Sequence, residues 1–159
     1  MYVVDSSVWL DLRTILLVPG AKEFLERLVG ERRILVPEEV VREVHPKGGD
    51  IGKWVNSQRE CHRDTLSLWD LASEVANKYP DLVDYSKKNG ADPFVVACAL
   101  TERENQNAGF GFASAEIVVV ASERSHLPRV AIPDACQSEG LRCVNITGWF
   151  TLENYRVGP

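Results

Sequence analysis

A chain of 159 residues with 45% hydrophobic and 26% charged residues has the make-up of one ordinary globular domain, which excludes disordered and fibrous classes. The formal net charge of −5 argues against a broad nucleic-acid surface held by charge alone, while leaving room for local basic patches such as Arg32-Arg33 and Lys87-Lys88. No apolar run approaches the roughly 20 residues of a membrane span, and Tyr2-Val3-Val4-Asp5 reads as structure rather than as a signal peptide; a cytoplasmic protein with no membrane association is expected.

Tyr2–Asp5 predicts a short buried strand. The helix after it takes Ser6 or Ser7 as its cap and turns Val8, Trp9 and Leu12 inward. Gly20–Gly30 carries Phe24, Leu25 and Leu28 at helical spacing, and Arg33–Val36 reads as a second strand. Pro37 suits the first turn of the next helix, whose apolar side is Val40, Val41 and Val44. His45-Pro46-Lys47-Gly48-Gly49-Asp50 is a break. Two or three helices fill Ile51–Lys88, with Trp54, Val55, Leu66, Leu68, Leu71 and Val75 facing inward, and Asn89-Gly90 closes that region. Asp92 as N-cap and Pro93 at the first helical position open a strong helix to about Glu104, followed by a loop over Asn105–Ala113. Glu116–Ala121 is the most strand-like segment of the chain. A short run near Arg129–Ile132, a helix from Pro133 to Gly140, a strand at Arg142–Ile146 and a helix over Thr147–Tyr155, capped by Thr147, complete the reading. Strands interleaved with helices predict an α/β fold, a three-layer α/β/α sandwich with a mostly parallel central sheet, as a single domain over residues 1–159.

Cys61, Cys98, Cys136 and Cys143 form no C-x-x-C pair and read as reduced packing residues. His45, His62 and His126 lack ligand spacing, and Trp9, Trp54, Trp69 and Trp149 read as core or interface. The acids are more informative. In parallel α/β sheets ligands bind beyond the carboxyl ends of the strands. Asp5 ends the first strand, Glu43 lies on the helix after the second, Asp92 begins a helix, and Glu123 lies just past the strand that ends near Ala121. Carboxylates gathered in one place repel one another unless a cation joins them. Mg²⁺ and Mn²⁺ are hard cations that prefer oxygen ligands; they polarise a phosphodiester and lower the pKa of a coordinated water. Taken singly, Asp5 and Asp92 read as helix caps, Glu43 as a solvated helix face and Glu123 as a surface acid paired with Arg124. Their joint order points to metal. Ser6 and Ser7 are placed to orient Asp5 or to cap, and Arg42 and Arg124 are candidate phosphate contacts.

The same residues resemble a known family, the PIN-domain nucleases, whose fold is shared by VapC-type toxins and several RNA-processing enzymes. Val3-Val4-Asp5-Ser6-Ser7-Val8-Trp9 is similar to the family's opening strand, acid and helix. Pro37-Glu38-Glu39-Val40-Val41-Arg42-Glu43-Val44 resembles its second acidic motif, and Ala91-Asp92-Pro93-Phe94-Val95-Val96-Ala97-Cys98-Ala99-Leu100 resembles its aspartate opening an alanine-rich helix. Val118-Val119-Val120-Ala121-Ser122-Glu123 resembles a strand followed by Thr-x-Asp, with Ala121 in place of the Thr/Ser and Glu123 in place of the Asp. Asp134, in Ile132-Pro133-Asp134, is a substitute or supporting acid for that position, and the loop before it resembles a less-studied PIN-like subgroup. The resemblance implies an endoribonuclease in which Asp5, Glu43, Asp92 and Glu123 are catalytic and hold Mg²⁺ or Mn²⁺. It further implies the toxin of a type II toxin–antitoxin pair, a homodimer, and an antitoxin lying across the acidic site. The alternative is a non-catalytic PIN-like scaffold that binds RNA or protein. An aspartate-nucleophile phosphatase is disfavoured, because Ser7 stands where that chemistry needs a second acid.

Overall fold

The structure, a computed structural model, describes residues 1–15, 20–84, 90–109, 115–122 and 129–155. Its elements in order are β1 (Tyr2–Val4), α1 (Ser6–Ile15), α2 (Ala21–Gly30), β2 (Ile34–Pro37), α3 (Glu38–Val44), α4 (Asp50–Ser57), β3 (His62–Arg63), α5 (Thr65–Lys78), α6 (Asp92–Ala108), β4 (Val118–Val120), α7 (Ile132–Ser138), β5 (Arg142–Val144) and α8 (Ile146–Leu152). The five strands form one sheet in the order β3-β2-β1-β4-β5, and every pairing is parallel.

That order decides the layers. From β1 to β2 to β3 the chain steps one way across the sheet, and from β3 through β4 to β5 it steps back the other way. Right-handed crossovers put the connecting helices of the two directions on opposite faces. Packing agrees. On one side α1 packs on α3 and α4, and α2 meets α8 through Phe24 and Trp149, whose ring centroids are 5.5 Å apart. On the other side α6 crosses β1, β2 and β4 and is flanked by α5 and α7. The predicted three-layer α/β/α fold is the observed one, and its sheet is wholly parallel.

Burial explains the short strands. Tyr2, Val3 and Val4 are all buried, as are Val118, Val119 and Val120, so the two central strands are continuous apolar runs with both faces covered. In α6 every residue from Val95 to Leu100 is buried. Small side chains (Ala97, Cys98 and Ala99) let this helix sit between the sheet and its neighbours.

The structure corrects several local expectations. Asp5, not Ser6 or Ser7, caps α1: its Oδ2 accepts the Ser7 N–H at 3.0 Å. Asp92 is the first residue of α6 rather than its cap, a position held by Ala91. Asn145, not Thr147, caps α8, accepting from Gly148 N–H at 2.8 Å. The helix expected to end near Glu104 runs on to Ala108. β3 carries no apolar run and gave no periodic signal. Leu66, expected inward, is 83% exposed, because it lies on the opposite side of α5 from buried Leu68, Ala72 and Val75. The expectations for Lys87-Lys88, Asn89, Glu123, Arg124, His126 and the stretch 110–113 fall outside the described residues.

The cysteines behave as packing residues. None of the four is in a disulfide, and Cys61, Cys98 and Cys136 are buried. Burial pushes the Cys61 thiol up to about 11 and that of Cys98 up to about 12, so both stay protonated. Among the described residues no helix is long and apolar enough to cross a membrane.

Candidate active site

The strand order reverses at β1, whose two neighbours are β2 and β4. Chains leaving β1 and β4 turn to opposite faces, which opens a crevice beyond their carboxyl ends. Asp5 sits at this point. Its backbone N–H continues the sheet by donating to Val120 O at 2.9 Å, while its side chain is 1% exposed. Two serines hold the carboxylate. Ser7 Oγ donates to Oδ2 at 2.5 Å and Ser6 Oγ to Oδ1 at 3.4 Å. Ser7 Oγ also accepts the Ser122 N–H at 3.0 Å, so one hydroxyl ties the end of β4 to the acid at the end of β1.

The proton affinity of Asp5 reflects this setting. Burial pushes its carboxyl above the ordinary range. Hydrogen bonds from the Ser7 hydroxyl and the Ser7 and Ser6 amides pull it back, and the negative charge of Glu43 pushes it up again. Asp5 and Glu43, distant in sequence, are therefore brought within electrostatic reach.

Glu43 reaches the edge from α3. Pro37 ends β2 and is the N-cap of that helix rather than part of its first turn, and Glu39 and Glu43, one turn apart, both face inward at 8% and 6% exposure. A solvated helix face is thereby excluded for both. Glu39 accepts from Thr65 Oγ1 at 3.1 Å and pairs with Arg42. Arg42 also reaches Glu38 at 3.4 Å, so its guanidinium is engaged by acids of its own helix. Glu43 has exposed Lys47 at 3.8 Å.

Asp92 is half-buried in the first turn of α6. Phe94, two residues on, meets Trp69 of the early turns of α5 at 6.0 Å between ring centroids. Thr65, which opens α5, touches Glu38 and Glu39 at the end of β2. Asp92 thus shares the carboxyl edge with Asp5 and Glu43. Asp134 also begins a helix there, and its Oδ2 accepts the Ala131 N–H at 2.9 Å, the reciprocal half of a capping box whose other half an alanine cannot supply. Among the described residues, no three of His, Cys, Asp and Glu form a group positioned to hold one ion. Glu123, the fourth predicted acid, lies outside them.

Sequence reasoning missed Glu39, Thr65 and Ser122. Ser122 stands at the end of the most strand-like segment, so the strand-end rule already pointed at it. Its Oγ is buried and has no hydrogen-bond partner among the described residues. Thr65 had no signal, because β3 before it was not recognisable.

The Asp5 carboxylate, buried, raised in proton affinity and held by neutral hydroxyls, is an oxygen donor of the kind a hard divalent cation takes. A family model described as "Domain of unknown function (DUF4411)" matches residues 2–157. No curated protein and no solved structure matches the chain.

Proposed function

The chain belongs to the DUF4411 family, and with that as premise we propose that it is a metal-dependent endoribonuclease of PIN type. The observation that supports this reading most is Asp5. It is a carboxylate buried at the reversal point of a parallel sheet, bonded to serine hydroxyls, with a second buried acid, Glu43, adding to its charge. Such a pair costs stability in the metal-free protein, and functional sites are where that cost is kept.

In this reading Asp5, Glu43 and Asp92 hold Mg²⁺ or Mn²⁺, with Glu123 completing the set and Asp134 supporting it. When bound, the cation supplies Lewis-acid polarisation of a phosphodiester and a source of hydroxide near neutral pH. The chain's own residues do the positioning. Ser7 fixes the orientation of Asp5 and couples it to β4. The buried walls of β1 and β4 keep the carboxylates out of bulk water. The toxin role, a homodimer and an antitoxin partner belong to the same proposal and rest on the resemblance alone.

The test is cleavage of RNA with Mg²⁺ or Mn²⁺ by the wild type and by Asp5→Asn and Asp92→Asn. Equal rates in all three would sink the assignment. A second reading, a non-catalytic scaffold, draws on Ala121 and Glu123 standing where the resemblance expects Thr/Ser and Asp. Calorimetric titration separates the two: a scaffold shows no metal binding that depends on the carboxylates.

A further inference from the structure

A cavity of about 380 Å³ opens between α1, α2 and the start of α4. Its floor is aliphatic, from Leu25 and Ile51, both 1% exposed. The half-buried indole of Trp54 forms a wall, and Arg13 and Lys22 bring cations to the rim, with Asp50 opposite. Lys22 lies 3.4 Å from Glu26 and Asp50 lies 3.4 Å from Lys53, whereas Arg13 makes no ion pair among the described residues. The cavity is a built feature of the turn after α3. A Cβ on Gly48 would lie 2.9 Å from both Gly52 N and Val44 O, so α4 can fold back against α3 only with glycine there.

Its chemistry is that of a nucleotide. A planar base stacks on an indole, an aliphatic floor takes the base and sugar, and guanidinium and ammonium groups meet a phosphate. The volume is in the range of small-molecule sites. Its place in the fold ties it to the acidic crevice. Arg13 lies in the last turn of α1, the helix that Asp5 caps, eight residues or about 12 Å along the helix. Gly48 follows α3, the helix that carries Glu43, and Lys47 beside it pairs with Glu43. Both acid-bearing segments therefore run from the crevice to this cavity. A chain of net charge −5 gains little from general attraction to phosphates, so a local cation–indole site is where binding energy for a nucleotide is to be found.

We propose that the cavity lined by Arg13, Lys22 and Trp54 binds a nucleotide unit, base on the indole and phosphate at the cations. As a substrate subsite, anchoring RNA beside the scissile bond, it rests on the nuclease reading; as a site for a free nucleotide it does not.

The test begins with metal-free wild-type protein titrated with 5′-AMP, 5′-UMP, uridine and inorganic phosphate, read by calorimetry and saturation-transfer NMR. The nucleotides are expected to bind at least about 10-fold more tightly than nucleoside or phosphate alone. Arg13→Ala and Trp54→Leu should each weaken them about 10-fold, and Trp54→Phe should restore most of the loss. Arg13 is exposed, so its variant keeps the test open if the Trp54 variants misfold. Absence of nucleotide binding at millimolar concentration, or unchanged affinity in Arg13→Ala, overturns the proposal. Phosphate binding as tightly as 5′-AMP also overturns it. Cleavage kinetics then identify the source. A raised KM with kcat unchanged in Arg13→Ala assigns the site to substrate RNA, and an unmoved KM assigns it to a free nucleotide. Failure of the wild type to cut RNA removes the nuclease reading and leaves the mononucleotide result standing.

Discussion

The two ends of the sheet treat a buried acid in opposite ways. At the amino end the Glu153 carboxylate, on a side chain 5% exposed, accepts from Tyr2 Oη at 2.5 Å, Arg33 Nη1 at 2.9 Å and Arg27 Nη2 at 3.1 Å. Burial alone would raise its carboxyl, but those donors outweigh burial and hold it below the ordinary range. In return Tyr2, buried and bonded to Glu153, is pushed up to about 12. At the carboxyl end Asp5 is more deeply buried still, its bonds come from neutral hydroxyls and amides, and among the described residues the charge that acts on it is another acid. One end has the composition of a clamp, with opposite charges matched. The other keeps like charges together, an arrangement that favours a site over a joint.

Asp5→Asn and Asp92→Asn probe the contrast most severely. RNA cleavage should fall by at least about 100-fold in each, beyond the usual loss for a residue that merely supports a metal ligand. Rates near wild type would make the carboxyl end a structural oddity. At the amino end, Glu153→Ala should cost about 2–3 kcal/mol in urea denaturation while leaving cleavage unchanged. The figure sits below that for a fully buried pair, because Arg27 and Arg33 stay partly in water. A stability loss under about 0.5 kcal/mol, the range of ordinary surface changes, would remove the clamp from the comparison.

Ser7→Ala should lower cleavage about 10-fold through misplacement of Asp5, with kcat affected more than KM. The smallest effect separates the ends by sign. The raised carboxyl of Asp5 means that the native protein holds this proton more tightly than the unfolded chain. Metal-free stability should therefore fall as pH rises from the ordinary carboxylate range through the raised value. Asp5→Asn should abolish that slope and add about 1 kcal/mol at neutral pH. Glu153, held low, contributes stability that is present above the ordinary carboxylate value and lost as pH falls through its lowered value. Denaturation midpoints across pH, with and without Glu153→Gln, will show whether the two slopes oppose each other.

The layers were legible because burial writes itself into composition. Val118-Val119-Val120 and the apolar core of α6 have no other reading. Asp5 was legible from its place after an apolar run. What escaped were features set by neighbours in space. Two residues of β3 are recruited by pairing with Val36 and Pro37, not by their own propensity. The inward turn of Glu43 depends on α3 packing beneath α1, and a pattern of acids at Glu38, Glu39 and Glu43 reads equally well as a wet face. The basic cavity was invisible, because Arg13, Lys22 and Trp54 come from three separate helices.

One hydrogen bond has a consequence for biosynthesis. Ser122 N–H meets Ser7 Oγ across 115 residues of sequence, and β1 pairs with β4 over a span of similar length. A nascent chain emerging from the ribosome cannot seat Asp5 until β4 has followed it out, and contacts of such separation form late and slowly. The proposed cutting activity is thereby silent until β4 is made, and a product truncated or stalled before it carries the acid without the pocket that would arm it.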